Sequence, residues 1–411
     1  MLLRSSSLLL SHLLPPRLSL SRSSPRSINL TPLLSLSTLA SSFPLSSRTL
    51  LRSNIITSRS QPTQLSIHLA TSATMSTTPA ASTAISTTPH TFALPPPQEC
   101  SFQLRNGLVI RAKHWRSAGP EVTPRDCRRF IAFHGYLDNA GSFDPLAPLL
   151  LEQLGPEPVE ILALDLAGHG TSSHRTSEDY ALWRYIEDAD QIVEQLGWQK
   201  HAIIGHSMGG AISTLYAGLY ESRVTLCVLL DNMGPLSRSV EDQPQHLLEH
   251  IADKKNLLTK RIAFHPTVES ACQARSHGGA YGIAPEFAEL LMPRGLRPAE
   301  RTSEDGKTMV QGWTWSTDRL LTIRSAQSMS EDYAKAFMTR ITCPVIAVMA
   351  EGGLFHLKDV LNHRSDWIHK GKLTMTSVPG KHSVHMENAP LVASKIVPWI
   401  LAQDIGEVAK L

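Results

Sequence analysis

From Phe102 onward, short apolar runs alternate with longer segments of helical spacing. Phe102–Leu104 and Leu108–Trp115 flank Asn106-Gly107, a hairpin signal. Arg129–Phe133, Val159–Asp165, Ala202–Ile204, Val224–Leu230, Pro344–Met349 and Leu373–Val378 follow. Each is too short for a helix and is bounded by turn residues, as strands buried on both faces are. Between them the spacing predicts a helix ending near Leu154 and another over Tyr180–Leu196, with Leu182, Ile186, Ile192 and Val193 on one face. Pro390–Leu401 reads as a closing helix. The alternation predicts an α/β fold: a mostly parallel eight-stranded sheet, helices on both faces, right-handed crossovers.

Pro235 to Thr342 is too long for a loop. Gln245–Thr259, Val268–Arg275, Pro285–Leu291 and Glu331–Arg340 have helical character, so a helical cap is expected at 236–340, after the sixth strand. The expected organisation is a leader and linker over 1–97, core over 98–235, cap over 236–340 and core again over 341–411. Trp313 and Trp315 are expected in the cap's own core, with the cap's substrate face as the alternative.

The chemistry concentrates in His201–Leu215. There Gly205-His206-Ser207-Met208-Gly209 follows an apolar strand and precedes a run fit for a helix. This is G-x-S-x-G in a strand–turn–helix context, which lifts a serine hydroxyl above a sheet on a strained turn. The Met208 N–H then lies at a helix N-terminus, where partial positive charge favours an oxyanion. Five scattered cysteines without C-x-x-C suggest neither zinc nor a disulfide framework. No histidine spacing suits a metal and no glycine-rich phosphate loop occurs, so no cofactor is expected.

The formal charge of +3 is misleading. No acidic residue precedes Glu99, and the leader holds Arg4, Arg17, Arg22, Arg26, Arg48, Arg52 and Arg59. Without these seven, 32 basic residues of 39 stand against 36 acidic ones, near −4. Nucleic-acid binding is not indicated. No uninterrupted apolar run suits a membrane span. The Arg/Ser-rich leader reads as a mitochondrial-type transit peptide or a plain disordered tail. Ala409-Lys410-Leu411 resembles the S-K-L peroxisomal address, and initiation at Met75 would remove the arginines. Import receptors of one or both organelles are the expected partners.

Across residues 101–411 these landmarks resemble the α/β-hydrolase superfamily. His134–Asp144, Asp165–Arg175, Leu196–Trp198, Leu230–Pro235, Arg294-Gly295 and Trp313–Asp318 are similar to its serine hydrolase-like (Kraken) group. The resemblance implies Ser207 as nucleophile and His382 as base, five residues before Glu387; His385 is the alternative base. Ser383 stands where the group often has another histidine. The superfamily usually places its acid past the seventh strand, about where Gly353 stands. The acid is therefore expected at Asp231, after the sixth strand as in some haloalkane dehalogenases, with Glu351 as the alternative. Met208 and Tyr136 are expected to supply the oxyanion-hole amides, and His134, His169 and His206 to be structural. The implied activity is hydrolysis of a small or medium carboxylic ester or thioester through an acyl-enzyme. The alternative is a non-catalytic binding or scaffold protein.

Overall fold

The computed structural model describes residues 96–117, 127–155, 157–176, 180–277, 282–354, 363–369 and 371–403. The arginine-rich leader and the terminal Ala409-Lys410-Leu411 lie outside these residues. The chain runs β1 (Gln98–Gln103), β2 (Val109–Arg116), β3 (Arg128–Phe133), α1 (Ala147–Gln153), β4 (Val159–Leu164), α2 (Leu182–Gln195), β5 (His201–His206), α3 (Met208–Leu219) and β6 (Val224–Leu230). It continues with α4 (Gln243–Thr259), α5 (Val268–Ser276), α6 (Pro285–Gly295), β7 (Leu296–Thr302), β8 (Met309–Trp315) and α7 (Glu331–Met338). It ends with β9 (Val345–Gly352), β10 (Leu373–Lys381), α8 (Val384–Glu387) and α9 (Ala389–Ala402).

Eight strands form one sheet in the order β1-β2-β4-β3-β5-β6-β9-β10. The β1–β2 and β2–β4 pairs are antiparallel, and all other pairs are parallel. Alternate residues of the same strands feed two cores, as the pleat requires. On one face Ile131, Phe133, Ile203 and Leu229 meet α2, α3 and α7. On the other Phe130, Ile204, Val228 and Val348 meet α1 and α9. The chain steps from β3 to β4 on one side and returns to β5 on the other. The carboxyl end of β5 therefore opens at a switch point, where such sheets form a crevice.

Two expectations about the cap need correction. The segment is not all helical, because β7 and β8 pair as an antiparallel hairpin. Nor does it extend to residue 340. Ala334 and Met338, one turn apart on α7, belong to the main core. Gly218 of α3 allows the approach: a Cβ there would stand 2.8 Å from the Phe337 carbonyl carbon. The cap's own core is small, joining Cys272, Ile283, Leu291 and Met292 to Met386 of α8, with Trp315 packed on its edge. Among the described residues no helix is long and apolar enough to cross a membrane.

Candidate active site

Ser207 lies between β5 and α3 with φ 50° and ψ −115°. This conformation is uncommon for a residue bearing a side chain and costs of order 1–3 kcal/mol. The glycines around it make it sterically attainable. A Cβ on Gly205 would stand 2.6 Å from the Gly209 carbonyl carbon. One on Gly209 would stand 2.8 Å from the His134 oxygen, and one on Gly210 would stand 2.6 Å from Asn232 Cβ. The Ser207 N–H donates to the Leu230 carbonyl at 3.1 Å, tying the turn to the end of β6. Met208 opens α3, so its N–H is among the first-turn donors a helix cannot pair internally. The 134–136 turn abuts this terminus through Gly209, and the Tyr136 hydroxyl donates to the Leu321 carbonyl in the cap.

Asp231 directly follows β6, at φ 47°. Its Oδ1 accepts the Ala350 N–H at 3.0 Å and its Oδ2 the Leu354 N–H at 3.3 Å. Oδ2 also lies 2.6 Å from His382 Nδ1, just past β10. Gly353 explains the fit, because a Cβ there would stand 2.7 Å from Asp231 Cγ. The carboxylate fills the space left by the missing side chain. Glu351, the alternative acid, is exposed near the end of β9, and the His382 ring contacts Asp231. Burial pushes the His382 pKa below the usual imidazole value, and the Asp231 hydrogen bond partly offsets this.

The two histidines beside this pair have defined environments. His206 donates Nε2–H to the His382 carbonyl at 3.0 Å, which puts His382 beside the residue preceding Ser207. The two ring centroids are 4.8 Å apart. His385, the alternative base, is fully buried between His206, at 4.1 Å between centroids, and Phe143, at 5.6 Å. Burial holds it well below its usual pKa. His134 accepts the Leu166 N–H at Nε2 and faces its neighbour's carbonyl with Nδ1. Both ring nitrogens of His134 thus face backbone groups, and His169 packs against it with ring centroids 4.9 Å apart.

Sequence reasoning missed the fastening of the cap. His206 Nδ1 stands 3.6 Å from Asp138 Oδ2, and Arg275 of α5 donates to Asp138 Oδ1 at 2.8 Å. Burial would raise the Asp138 carboxyl; the nearby His206 ring and the Arg275 charge outweigh it and hold it well below the usual carboxylate range. Asn139 donates to the Leu291 carbonyl at 2.9 Å, and Gly141 leaves room for the Leu290 carbonyl. Arg294 of α6 grips buried Asp165 at 3.0 Å and Glu99 at 2.7 Å. The His134–Asp144 and Asp165–Arg175 strings are thus largely cap-docking surfaces. Their signal was the density of Asp, Asn, Gly and His in turns. A cavity of about 440 Å³ opens against Arg294, Lys113, Asp144 and Glu99, away from Ser207. Its Lys113 and Arg294 are already paired with Asp144 and Glu99.

The alpha/beta hydrolase fold family matches residues 128–273. A serine hydrolase-like protein of Danio rerio is 30% identical over 289 residues, covering 68% of this chain and 84% of the relative. The chain belongs to the serine hydrolase-like group of the α/β-hydrolases. Serine hydrolase-like protein 2 of Homo sapiens is 29% identical over 315 residues, 71% of this chain and 90% of that protein. Among solved structures, a hypothetical protein of Pseudomonas aeruginosa PAO1 superposes with TM-score 0.63 at 32% identity, covering 74% of this chain and 99% of the other. This membership makes the chain a hydrolase.

Proposed function

We propose that this hydrolase cleaves a small or medium carboxylic ester or thioester through a Ser207 acyl-enzyme. The observation that carries the reading is the 2.6 Å contact between His382 Nδ1 and Asp231, with Ser207 on its strained turn next to His206. His382 takes the Ser207 proton as the hydroxyl oxygen attacks the acyl carbon, and returns it to the leaving alcohol or thiol. Asp231 holds the ring's tautomer and stabilises the imidazolium. The Met208 and Tyr136 amides receive the developing oxyanion. Water then attacks the acyl-enzyme, with His382 again as base. A fluorophosphonate probe tests the reading: wild type is expected to label and Ser207→Ala not to label. A folded wild type that stays unlabelled would overturn it.

The basic leader supports mitochondrial import, and Ala409-Lys410-Leu411 supports peroxisomal import of a form started at Met75. Fluorescent tags at either end are expected to give two distributions. If deleting the last three residues leaves the Met75 form where it was, the peroxisomal address is wrong.

A further inference from the structure

The cap helix α4 is inside out. Its polar side faces the protein: Glu249 and Asp253 both pair with Arg324, and His250 donates to the Arg324 carbonyl at 2.8 Å. Arg319 holds the Leu257 and Lys260 carbonyls, each at 2.7 Å. Of its side chains only His246 and Leu257 are buried. The apolar side faces outward. Leu247 is 45% exposed, Leu248 62%, Ile251 42% and Leu258 83%. At 3.6 residues per turn these four, Pro244 and the exposed Lys255 share an arc of about 100°. Exposed Leu236, Val240 and Ile262 precede and follow the helix. Monomeric proteins rarely leave such a stripe uncovered.

We propose that this face of α4 docks on an anionic lipid surface. The net basic charge of the stripe argues for that occupant. Lys255, Lys260 and Arg261 are exposed at the C-terminal half of the stripe. The acids of the same helix, Glu249 and Asp253, are committed to Arg324 on the opposite side. Exposed Glu241 and Asp242 stand at the N-terminal end of the stripe, but with Arg238 the exposed side chains still leave it net basic, four cations to two acids, which acidic headgroups complement. An apolar arc with one basic side chain within it and others at its end is compatible with a helix lying in a membrane interface, the lysine reaching to the headgroups. The docking stands independently of the Ser207 chemistry.

Vesicle sedimentation of the full chain tests this, using vesicles of phosphatidylcholine alone and of equimolar phosphatidylcholine and phosphatidylserine. The wild type is expected to partition onto the mixed vesicles and to weaken as salt rises. A Leu247→Gln/Ile251→Gln/Leu258→Gln variant is expected to lose about tenfold or more of that partition. The leader's arginines are identical in both proteins and cancel from the comparison. A second variant, Lys255→Glu/Lys260→Glu/Arg261→Glu, changes only exposed side chains and is expected to abolish the preference for acidic vesicles. Equal partition of wild type and either variant would overturn the proposal. So would a lipid-free dimer, seen by sedimentation velocity, that the apolar variant dissolves.

Discussion

Gly353 has no side chain, and the Asp231 carboxylate stands where one would be. Gly353→Ala is therefore expected to push the carboxylate off His382. Misplacement on the order of 1 Å costs about a hundredfold in rate, to be read as ester turnover in a variant whose melting curve still shows a folded protein. Asp231→Asn keeps the shape and removes the charge; by analogy with serine proteases it is expected to lower turnover about 10⁴-fold. The pH profile gives an independent readout. In the proposed mechanism neutral His382 is the base, so activity is expected to rise with pH through its pKa, which burial sets below the usual imidazole value. Asp231 raises that pKa, so the residual activity of Asp231→Asn is expected to have its midpoint at lower pH. The turn that carries Ser207 and the place of His382 after the last strand were legible in the sequence because local patterns mark both. Which carboxylate reaches the His382 ring was less so: choosing between Asp231 and Glu351 needs the shape of the Gly353 gap, which forms only when β6 and β9 pair.

Among elements, α5 of the cap reaches the site through Arg275, Asp138 and His206, whose Nε2–H holds the His382 carbonyl. Removing one partner of a buried ion pair costs about 3–5 kcal/mol. Arg275→Met is therefore expected to lower the melting temperature and also to reduce turnover in assays held well below melting. Arg275→Lys, which keeps the charge, is expected to restore part of the turnover; a purely local stability effect would leave turnover per folded molecule unchanged. The core strands and helices were readable because burial on both faces leaves unbroken apolar runs. The β7–β8 hairpin was not, because its strands are mostly exposed and β7 carries Pro298, Arg297, Glu300 and Arg301. Asp305-Gly306 in its turn, with Gly306 at φ 72°, was the available signal. The α7 helix had the right spacing but no mark of its partner, since packing on α3 depends on tertiary placement.

At the scale of the whole molecule, the described residues bury a set of histidines that the fold keeps neutral. Burial lowers His134, His382 and His385, and takes His169 and His201 to about 3. A histidine whose pKa falls on folding binds more protons unfolded, so its stabilising share is present above its unfolded pKa and is lost as pH drops. The loss begins near pH 6.5 and amounts to about 1.4 kcal/mol per pH unit for each group until its folded pKa is reached. Asp188, raised by burial to about 6, and Asp144, also raised by burial, act oppositely by taking up protons first in the folded state. Five histidines outweigh two carboxyls, and a domain's whole stability is about 5–15 kcal/mol. The melting temperature is therefore expected to fall steeply from pH 6.5 to pH 5, while remaining nearly flat from pH 7 to 8. His201 isolates one share of this. Both its ring nitrogens are buried without a hydrogen-bond partner, against Tyr216 and Trp198 and far from the Ser207 end of β5. His201→Phe keeps a ring there and removes the proton-binding group. Its advantage over wild type is expected to grow by about 2 kcal/mol between pH 8 and pH 5, measured as paired denaturant titrations at each pH. A difference that stays constant with pH would mean that His201 is not held neutral.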